Sequence, residues 1–339
     1  MLLFSWAVGF GIMEMLVVAM AASNIAAFLV FWMDKRRAKA GVWRVRERTL
    51  LLWLIFCGAG SVLAMVVFRH KTNKRRFRFF AWVGLVLFLV TIAHVAHGGI
   101  LGERVRFVEL SFYSEDWPHE LSGYRIGFMA DFHAISHEDI SEVVGSLNNM
   151  NIDILLLGGD FSMRNDHYLG TLQEIAAAQT TDGIFAVDGN HDDHRRLFLA
   201  MNELGIMPLD NGGIRVREGF FLAGVRDLWN GAPNVAAATA GANNGDFVLL
   251  LSHNPDVVME QDVSAHLVLS GHTHGGQITF FGYPFYLLRG SVTSYGTMFS
   301  HGFRDNPSGG NVYITSGVGR YYRVPRMFTR PEVVIFTIL

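Results

Sequence analysis

The segment "VLSGHTHGGQ", Val268 to Gln277, ends an apolar run and places two histidines among glycines. One histidine after a buried strand is usually a packed or capping residue. His272 and His274 are only two residues apart, so they can direct two ring nitrogens at one small object. Whether that object is a metal ion depends on which other side chains the fold brings to the same place.

Four more segments show the same arrangement, in which an apolar run is followed by a turn that holds Asp, Asn or His. They are "ADFH" (130–133), "GGD" (158–160), "GNHD" (189–192) and "LSHNPD" (251–256). Helical patterns such as "EDISEVVGSLNNM" (138–150) alternate with the apolar runs, which predicts an α/β domain with a sheet buried on both faces. Because ligands bind at strand ends in such sheets, we expect the five turns to form one site.

The side chains in these turns are carboxylate, carboxamide and imidazole groups. Such N and O donors suit Mn, Fe, Zn, Co or Ni better than Ca or Mg alone. Taken singly, each segment has a simpler explanation, since a lone Asp after a strand is most often a helix cap or a turn residue. The repetition of one arrangement five times in this chain favours a metal site.

The series D-x-H, G-D, G-N-H-D, H and G-H-x-H resembles the calcineurin-like metallophosphoesterase superfamily, in particular its compact bacterial branch with membrane anchors. The resemblance covers roughly residues 107–339, including the closing "PEVVIFTIL" (331–339). It implies two mixed sheets flanked by helices and a centre of two divalent metal ions. The implied ligand sets share Asp160 as a bridge: Asp131, His133, Asp160 and His274 for one ion, and Asp160, Asn190, His253 and His272 for the other.

The same resemblance implies a phosphoric ester hydrolase, in which metal-activated water attacks a phosphoester or pyrophosphate bond. His191 is not a ligand in the family and would stabilise charge on the leaving oxygen or protonate it, with a spacer role as the alternative. The chain also has three candidate substrate contacts near its end, with a solvated role as the alternative: Arg320, Arg323 and Arg326.

Three polar residues near the motifs have no matching ligand position in the family. Asp188 stands where this branch usually has an apolar residue, and we expect it to be a turn residue at a strand end. The alternative for Asp188 is a hydrogen bond to a histidine. His137 and His194 are expected to lie at the surface or to hydrogen-bond another site residue.

The first hundred residues have a different composition. Three apolar segments, at about 7–33, 50–68 and 79–97, are each long enough to cross a bilayer. A signal peptide fits the first segment poorly, because its apolar run is too long. We therefore predict an α-helical transmembrane region over residues 1–102 and a metallophosphoesterase domain over residues 107–339.

The membrane region has its own resemblance, because residues 24–77 are similar to a small family of uncharacterised bacterial membrane domains. No chemistry follows from it. Its basic loops can contact membrane lipids, with a simple topology signal as the alternative.

Two basic loops give conflicting signals about membrane topology. Of the 28 Lys and Arg, seven lie in residues 34–48 and six in residues 69–78. The positive-inside rule places both loops in the cytoplasm, yet a full span between them would separate them. Either one loop departs from the rule, or "FCGAGS" (56–61) marks a segment that enters and leaves on one side. We expect a multi-pass protein of the bacterial inner membrane, with its catalytic domain on the extracytoplasmic side.

Charge in the second part of the chain restricts its partners. From Phe107 onward the sequence has 13 Arg, no Lys and 26 Asp or Glu. A nucleic-acid enzyme normally presents a basic surface, so no nucleic acid is expected as a partner. The membrane region instead suggests a phosphorylated, lipid-linked substrate. The alternative function is a membrane sensor or scaffold whose metal site does not catalyse hydrolysis.

Overall fold

The computed structural model describes residues 12–100, 104–133, 135–162, 168–280, 283–284, 292–321 and 326–339. The chain divides into two compact units, Met1–Ile100 and Leu101–Leu339. Within the described residues, the first unit is all helical and the second contains both sheets and helices.

The first unit contains two long and two short helices: α1 (Ile12–Ala40), α2 (Glu47–Phe56), α3 (Gly58–Val67) and α4 (Arg75–Ile100). Two stretches, Val17–Ala40 and Arg75–His94, are long and apolar enough to cross a membrane, judged by length and composition. The apolar segment 50–68 is not one continuous helix. It forms α2 and α3, which have ten residues each and are therefore only about 15 Å long.

The break between α2 and α3 falls at Cys57, whose φ of −132° and ψ of 55° are outside the helical region. The glycines that follow allow close packing, because a Cβ on Gly58 would overlap the backbone of Gly84 in α4. A Cβ on Gly60 would likewise overlap the backbone of Asn24 in α1. The short helices thus pack closely against both long helices.

The two basic loops contact each other. The buried Asp34 carboxylate accepts a hydrogen bond from Arg44 Nη2 at 2.9 Å and lies 2.7 Å from His70 Nε2. Glu47 Oε1 lies 2.6 Å from Lys71 Nζ and also pairs with Lys74. Residues of both loops are therefore at the same end of this helical unit.

The second unit is a sandwich of two six-stranded sheets. The first sheet contains, in pairing order, β1 (Arg106–Phe112), β14 (Glu332–Ile338), β2 (Tyr124–Met129), β3 (Ile154–Leu157), β4 (Ile184–Ala186) and β5 (Met207–Pro208). The second contains β12 (Gly302–Asp305), β13 (Asn311–Ile314), β9 (Leu267–Ser270), β8 (Phe247–Leu251), β7 (Phe220–Gly224) and β6 (Gly212–Arg217). Two further short strands, β10 (Thr279–Phe280) and β11 (Tyr283–Pro284), pair in the antiparallel direction.

Both sheets are mixed. Strands β2, β3, β4 and β5 are parallel, as are β7, β8, β9 and β13. Strand β14 is antiparallel to β2, and the outer strands β6 and β12 are antiparallel to their neighbours. Since parallel strands end at the same edge of a sheet, the turns after β2, β3 and β4 lie side by side.

The apolar runs are continuous because both faces of each sheet are buried. In β3, Ile154 and Leu156 join the core between the sheets, while Leu155 and Leu157 face the helical layer. The helices that flank the sheets are α5 (His137–Asn148), α6 (Tyr168–Ile175), α7 (His194–Glu203), α8 (Val235–Thr239) and α9 (Val257–Glu260). The predicted α/β fold of two mixed sheets flanked by helices is confirmed.

Candidate metal centre

All seven predicted ligands lie just after strand ends. Asp131 and His133 follow β2, and Asp160 follows β3. The others follow the carboxyl ends of β4, β8 and β9: Asn190, His253, His272 and His274. The structure brings their side chains together into two adjoining groups.

The first group consists of Asp131, His133 and His274, all buried. The Nε2 atoms of His133 and His274 are 3.1 Å apart, and His274 Nε2 is 3.6 Å from Asp131 Oδ1. The second group consists of Asp160, His253 and His272. Asn190 completes it, because Asn190 Oδ1 lies 3.1 Å from His253 Nε2 and 2.9 Å from His272 Nδ1.

Asp160 connects the two groups. Its Oδ2 atom lies 3.3 Å from His133 Nε2 in the first group and 3.2 Å from His253 Nε2 in the second. One carboxylate oxygen therefore faces both sets of imidazole nitrogens. Its other oxygen, Oδ1, accepts a hydrogen bond of 2.9 Å from the backbone N–H of His191.

The outward-facing nitrogens of three histidines contact backbone carbonyl oxygens. His133 Nδ1 is 3.1 Å from the oxygen of Ser162, and His253 Nδ1 is 2.7 Å from that of Gly158. His272 Nε2 is 2.9 Å from the oxygen of Val292. Because a carbonyl only accepts hydrogen bonds, these nitrogens carry a proton, and in the neutral ring the opposite nitrogen presents a lone pair to its ligand group. This is the arrangement of metal-ligating histidines, so the residues fit two divalent ions.

Burial lowers the pKa of these histidines, whereas a nearby carboxylate raises it. Burial lowers the pKa of His272 to about 3 and the pKa of His274 well below its usual value, which keeps both rings neutral. Burial also opposes the charged form of His253, but the Asp160 carboxylate outweighs it and raises the pKa of His253. Asp160 is thus the principal negative charge that cations at this site would neutralise.

The ligand turns have unusual backbone conformations. Five ligands have positive φ angles: Asp131 (55°), His133 (33°), Asp160 (59°), His272 (71°) and His274 (52°). Such angles are uncommon for residues other than glycine and cluster at functional sites. Gly271 is required for a different reason, since a Cβ there would lie 2.8 Å from Asp131 Oδ2.

Several known proteins are similar to this chain in sequence. The calcineurin-like phosphoesterase family model matches residues 124–276. Phosphodiesterase YaeI of Escherichia coli is 31% identical over 238 residues, which cover 64% of this chain and 82% of YaeI. The chain belongs to the calcineurin-like phosphoesterase family.

Two further relatives match more of the chain. An uncharacterised metallophosphoesterase of Helicobacter pylori is 26% identical over 301 residues, covering 84% of this chain and 77% of that protein. A transmembrane protein with metallophosphoesterase domain from Danio rerio is 26% identical over 317 residues, covering 84% and 69% respectively. Residues 24–77 match a second family model, protein of unknown function DUF1294.

Family membership and the two ligand groups together indicate a metal-dependent phosphoester hydrolase with a dinuclear divalent metal centre. His191 lies beside this centre. Its ring centroid is 5.3 Å from that of His133 and 5.3 Å from that of Tyr321. The ring of Tyr321, which the sequence did not single out, also lies 6.0 Å from the His274 ring.

Asp192 was also missed as a site residue. Its half-buried carboxylate accepts hydrogen bonds from the backbone N–H groups of Asp160, Phe161, Ser162 and Gly189. These bonds join the turn after β3 to the turn after β4. Asp192 therefore positions the bridging Asp160, and its place in "GNHD" was the available signal.

The three predicted arginines have different surroundings. Arg320 is partly exposed, and Arg323 lies outside the described residues. Arg326 is only 1% exposed and donates to the backbone oxygens of Gly319 and His274, at 2.9 and 3.2 Å. These bonds hold the His274 turn against the turn after β13.

The structure also shows the surroundings of the three polar residues that match no ligand position in the family. Asp188 is buried and lies 2.8 Å from His194 Nδ1, so it has the histidine partner that was the alternative to a simple turn role. It also accepts a 2.9 Å hydrogen bond from the backbone N–H of Asp227. His194 begins α7 and is not in either ligand group, while His137 is exposed at the start of α5.

Proposed function

We propose that this protein is a membrane-anchored phosphoesterase that uses two divalent ions to hydrolyse a phosphoester or pyrophosphate bond. The observation that carries the proposal is the position of Asp160 Oδ2, within 3.3 Å of an imidazole nitrogen of each ligand group. We assign one ion to Asp131, His133, Asp160 and His274, and the other to Asp160, Asn190, His253 and His272. When bound, such a pair lowers the pKa of a water molecule and stabilises negative charge on phosphoryl oxygens.

A residue of the protein supplies the proton that the leaving group needs. Water attacks phosphorus and releases a proton to solvent, the bond from phosphorus to the leaving oxygen breaks, and the leaving oxygen takes a proton. We assign the donation of that proton to the His191 ring, which regains it from solvent. The His191 backbone N–H stays bonded to Asp160 Oδ1, so the backbone that carries the ring is held beside the bridging carboxylate.

We propose that the substrate is a lipid-linked phosphodiester or pyrophosphate. The support is the pair of helices that are long and apolar enough to cross a membrane, together with the name of the Danio rerio relative. A phosphodiester is the first test substrate because YaeI is named a phosphodiesterase. The alternative of a catalytically silent sensor or scaffold is less favoured, because His191 and all seven ligands come together.

The full-length protein, purified in detergent and reconstituted with Mn²⁺, should bind two ions per chain. It should hydrolyse bis(p-nitrophenyl) phosphate, lose this activity in EDTA and regain it with Mn²⁺. A lipid-linked pyrophosphate in mixed micelles should be hydrolysed with a higher kcat/KM. Metal content and turnover are measured on the same sample.

Metal content, substrate range and turnover in EDTA each test a different part of the proposal. Two bound ions without turnover on any substrate would support the silent sensor. Turnover of soluble diesters alone, with lipid-linked phosphates ignored, would remove the lipid assignment and leave the phosphoesterase. Turnover that survives EDTA and complete metal removal would contradict the dinuclear mechanism.

We place the catalytic domain on the extracytoplasmic side. Because α2 and α3 are each only about half as long as a hydrocarbon core of roughly 30 Å, neither helix can cross it alone. The contacts of Asp34 with His70 and of Glu47 with Lys71 support a hairpin that enters and leaves on one side. With both basic loops in the cytoplasm, the end of α4 lies outside.

Cysteine labelling in spheroplasts tests this topology. In a Cys57→Ser background, single substitutions Gly41→Cys and Asn73→Cys probe the two basic loops, and Glu115→Cys probes the catalytic domain. A membrane-impermeant maleimide should label Glu115→Cys in intact spheroplasts and the two loop variants only after lysis. Labelling of the two loops from opposite sides would show that the hairpin crosses the membrane.

A further inference from the structure

The loop after β7 presents a tryptophan at the edge of the metal centre. The indole of Trp229 is 51% exposed, and its ring centroid is 4.5 Å from that of His272 with an interplanar angle of 89°. Exposing half of a large aromatic side chain forgoes part of the free energy of its burial. This residue is therefore poorly explained as part of the core.

Hydrogen bonds fix the loop that carries Trp229. The Asp227 carboxylate accepts bonds from the backbone N–H groups of Trp229 and Asn230, at 2.7 and 2.8 Å. The backbone N–H of Asp227 donates to buried Asp188, and the side chain of Asn230 donates to the backbone oxygen of Asn190. The backbone that carries the half-exposed indole is therefore fixed by Asp227 and by a bond to the ligand turn at Asn190.

A second aromatic ring borders the other ligand group. The Tyr321 ring lies 5.7 Å from the His133 ring and 5.3 Å from the His191 ring. The Gln277 side chain binds the Tyr321 backbone twice, accepting from its N–H at 2.8 Å and donating to its oxygen at 3.1 Å. Each ligand group therefore has a positioned aromatic ring beside it.

Two arginines in these loops already pair with protein groups, whereas Arg320, which precedes Tyr321 in sequence, is partly exposed. Arg326 is bonded to backbone oxygens, and Arg226 Nε lies 3.6 Å from Asp210 Oδ1. Bare phosphate and dianionic monoesters are typically recognised by available cations, whereas aromatic faces bind planar or apolar groups. Trp229 and Tyr321 therefore offer ring surfaces suited to the organic parts of a substrate.

We propose that Trp229 and Tyr321 bind the organic groups attached to the substrate phosphorus. The site then favours disubstituted phosphates that carry a planar or apolar group over those of the same charge that carry only small alkyl groups. This inference rests on the proposed function only for the location of phosphorus between the two ligand groups. Trp229 and Tyr321 act as specificity-determining residues and supply no ligand to the metal ions.

Two inhibitors of equal charge separate the aromatic contact from binding of phosphate. Diphenylphosphinate and dimethylphosphinate are both monoanions, have P–C bonds that the enzyme cannot hydrolyse, and differ only in their organic groups. Their dissociation constants are measured by phosphorus NMR titration of the Zn²⁺-loaded full-length protein, which requires no turnover. Trp229→Ala should weaken diphenylphosphinate binding about tenfold and dimethylphosphinate binding less than about twofold. Tyr321→Ala should act in the same direction, and Trp229→Phe should retain most of the affinity.

Tyr113→Ala is the matched control, because Tyr113 is an exposed aromatic residue outside the site. It should change neither dissociation constant, and metal content should be the same in all variants. Equal weakening of both inhibitors by Trp229→Ala would show that Trp229 acts only through His272, and an unchanged diphenylphosphinate affinity would likewise overturn the proposal. Absence of hydrolysis by the metal-loaded wild type would instead count against the proposed function, since the binding comparison does not depend on it.

Discussion

Asp160→Asn is expected to reduce turnover by at least about a thousandfold and to leave fewer than two metal ions bound per chain. Asp160 Oδ2 lies close to an imidazole nitrogen of each ligand group, at 3.3 and 3.2 Å. Asp160 Oδ1 accepts the His191 backbone N–H. A carboxamide has a single oxygen and no negative charge, so it cannot face both groups and also keep this hydrogen bond.

Metal content by mass spectrometry and kcat on bis(p-nitrophenyl) phosphate are the two measurements for this variant. Asp262→Asn is the matched control, because Asp262 is exposed and belongs to neither ligand group. The control should behave as the wild type in both measurements. Two ions per chain together with wild-type turnover in Asp160→Asn would show that the bridge is wrongly assigned.

The ligand residues could be predicted because their positions follow from a local rule. Each comes after a buried apolar strand, and parallel strands bring their ends to one edge of a sheet. Asp131 and Asp160, which are separated in sequence by a strand and a helix, therefore meet as expected. The two-ring motif at His272 and His274 also follows this rule, since it ends β9.

The residues that the sequence did not reveal act through the backbone of distant loops. Asp192 binds the N–H groups of the turn after β3, and Gln277 binds Tyr321 across 44 positions of sequence. No local pattern predicts such bonds, because they depend on where two turns meet in space. Arg326 illustrates the same difficulty, since a cluster of arginines in sequence gives no indication that one of them is buried among backbone oxygens.

The apolar segment 50–68 contains a helix break that its hydropathy does not predict. Its composition is that of a membrane span, and only "FCGAGS" pointed to the alternative that it enters and leaves on one side. The structure divides the segment at Cys57. Close backbone packing by Gly58 and Gly60 against the long helices is a tertiary effect that a hydropathy average does not contain.

His191→Ala is expected to keep both metal ions and to lower kcat by about a hundredfold to ten-thousandfold. Alanine retains the backbone N–H that bonds to Asp160 Oδ1, so the bridging carboxylate keeps its position. The ring itself belongs to neither ligand group. Only the donation of a proton to the leaving oxygen is therefore removed, together with the stabilisation of charge that accompanies it.

The leaving group distinguishes this role from a spacer role. A diester with p-nitrophenolate as leaving group needs little protonation, whereas one with phenolate needs more, so His191→Ala should impair the phenolate substrate more strongly. The comparison is made at matched metal content, with His137→Ala as the control because His137 is exposed at the start of α5. A spacer would affect both substrates equally, since a change in the shape of the site does not depend on the basicity of the leaving oxygen. Unchanged kcat on both substrates, with two ions bound, would remove His191 from the mechanism and leave the metal centre as the sole source of catalysis.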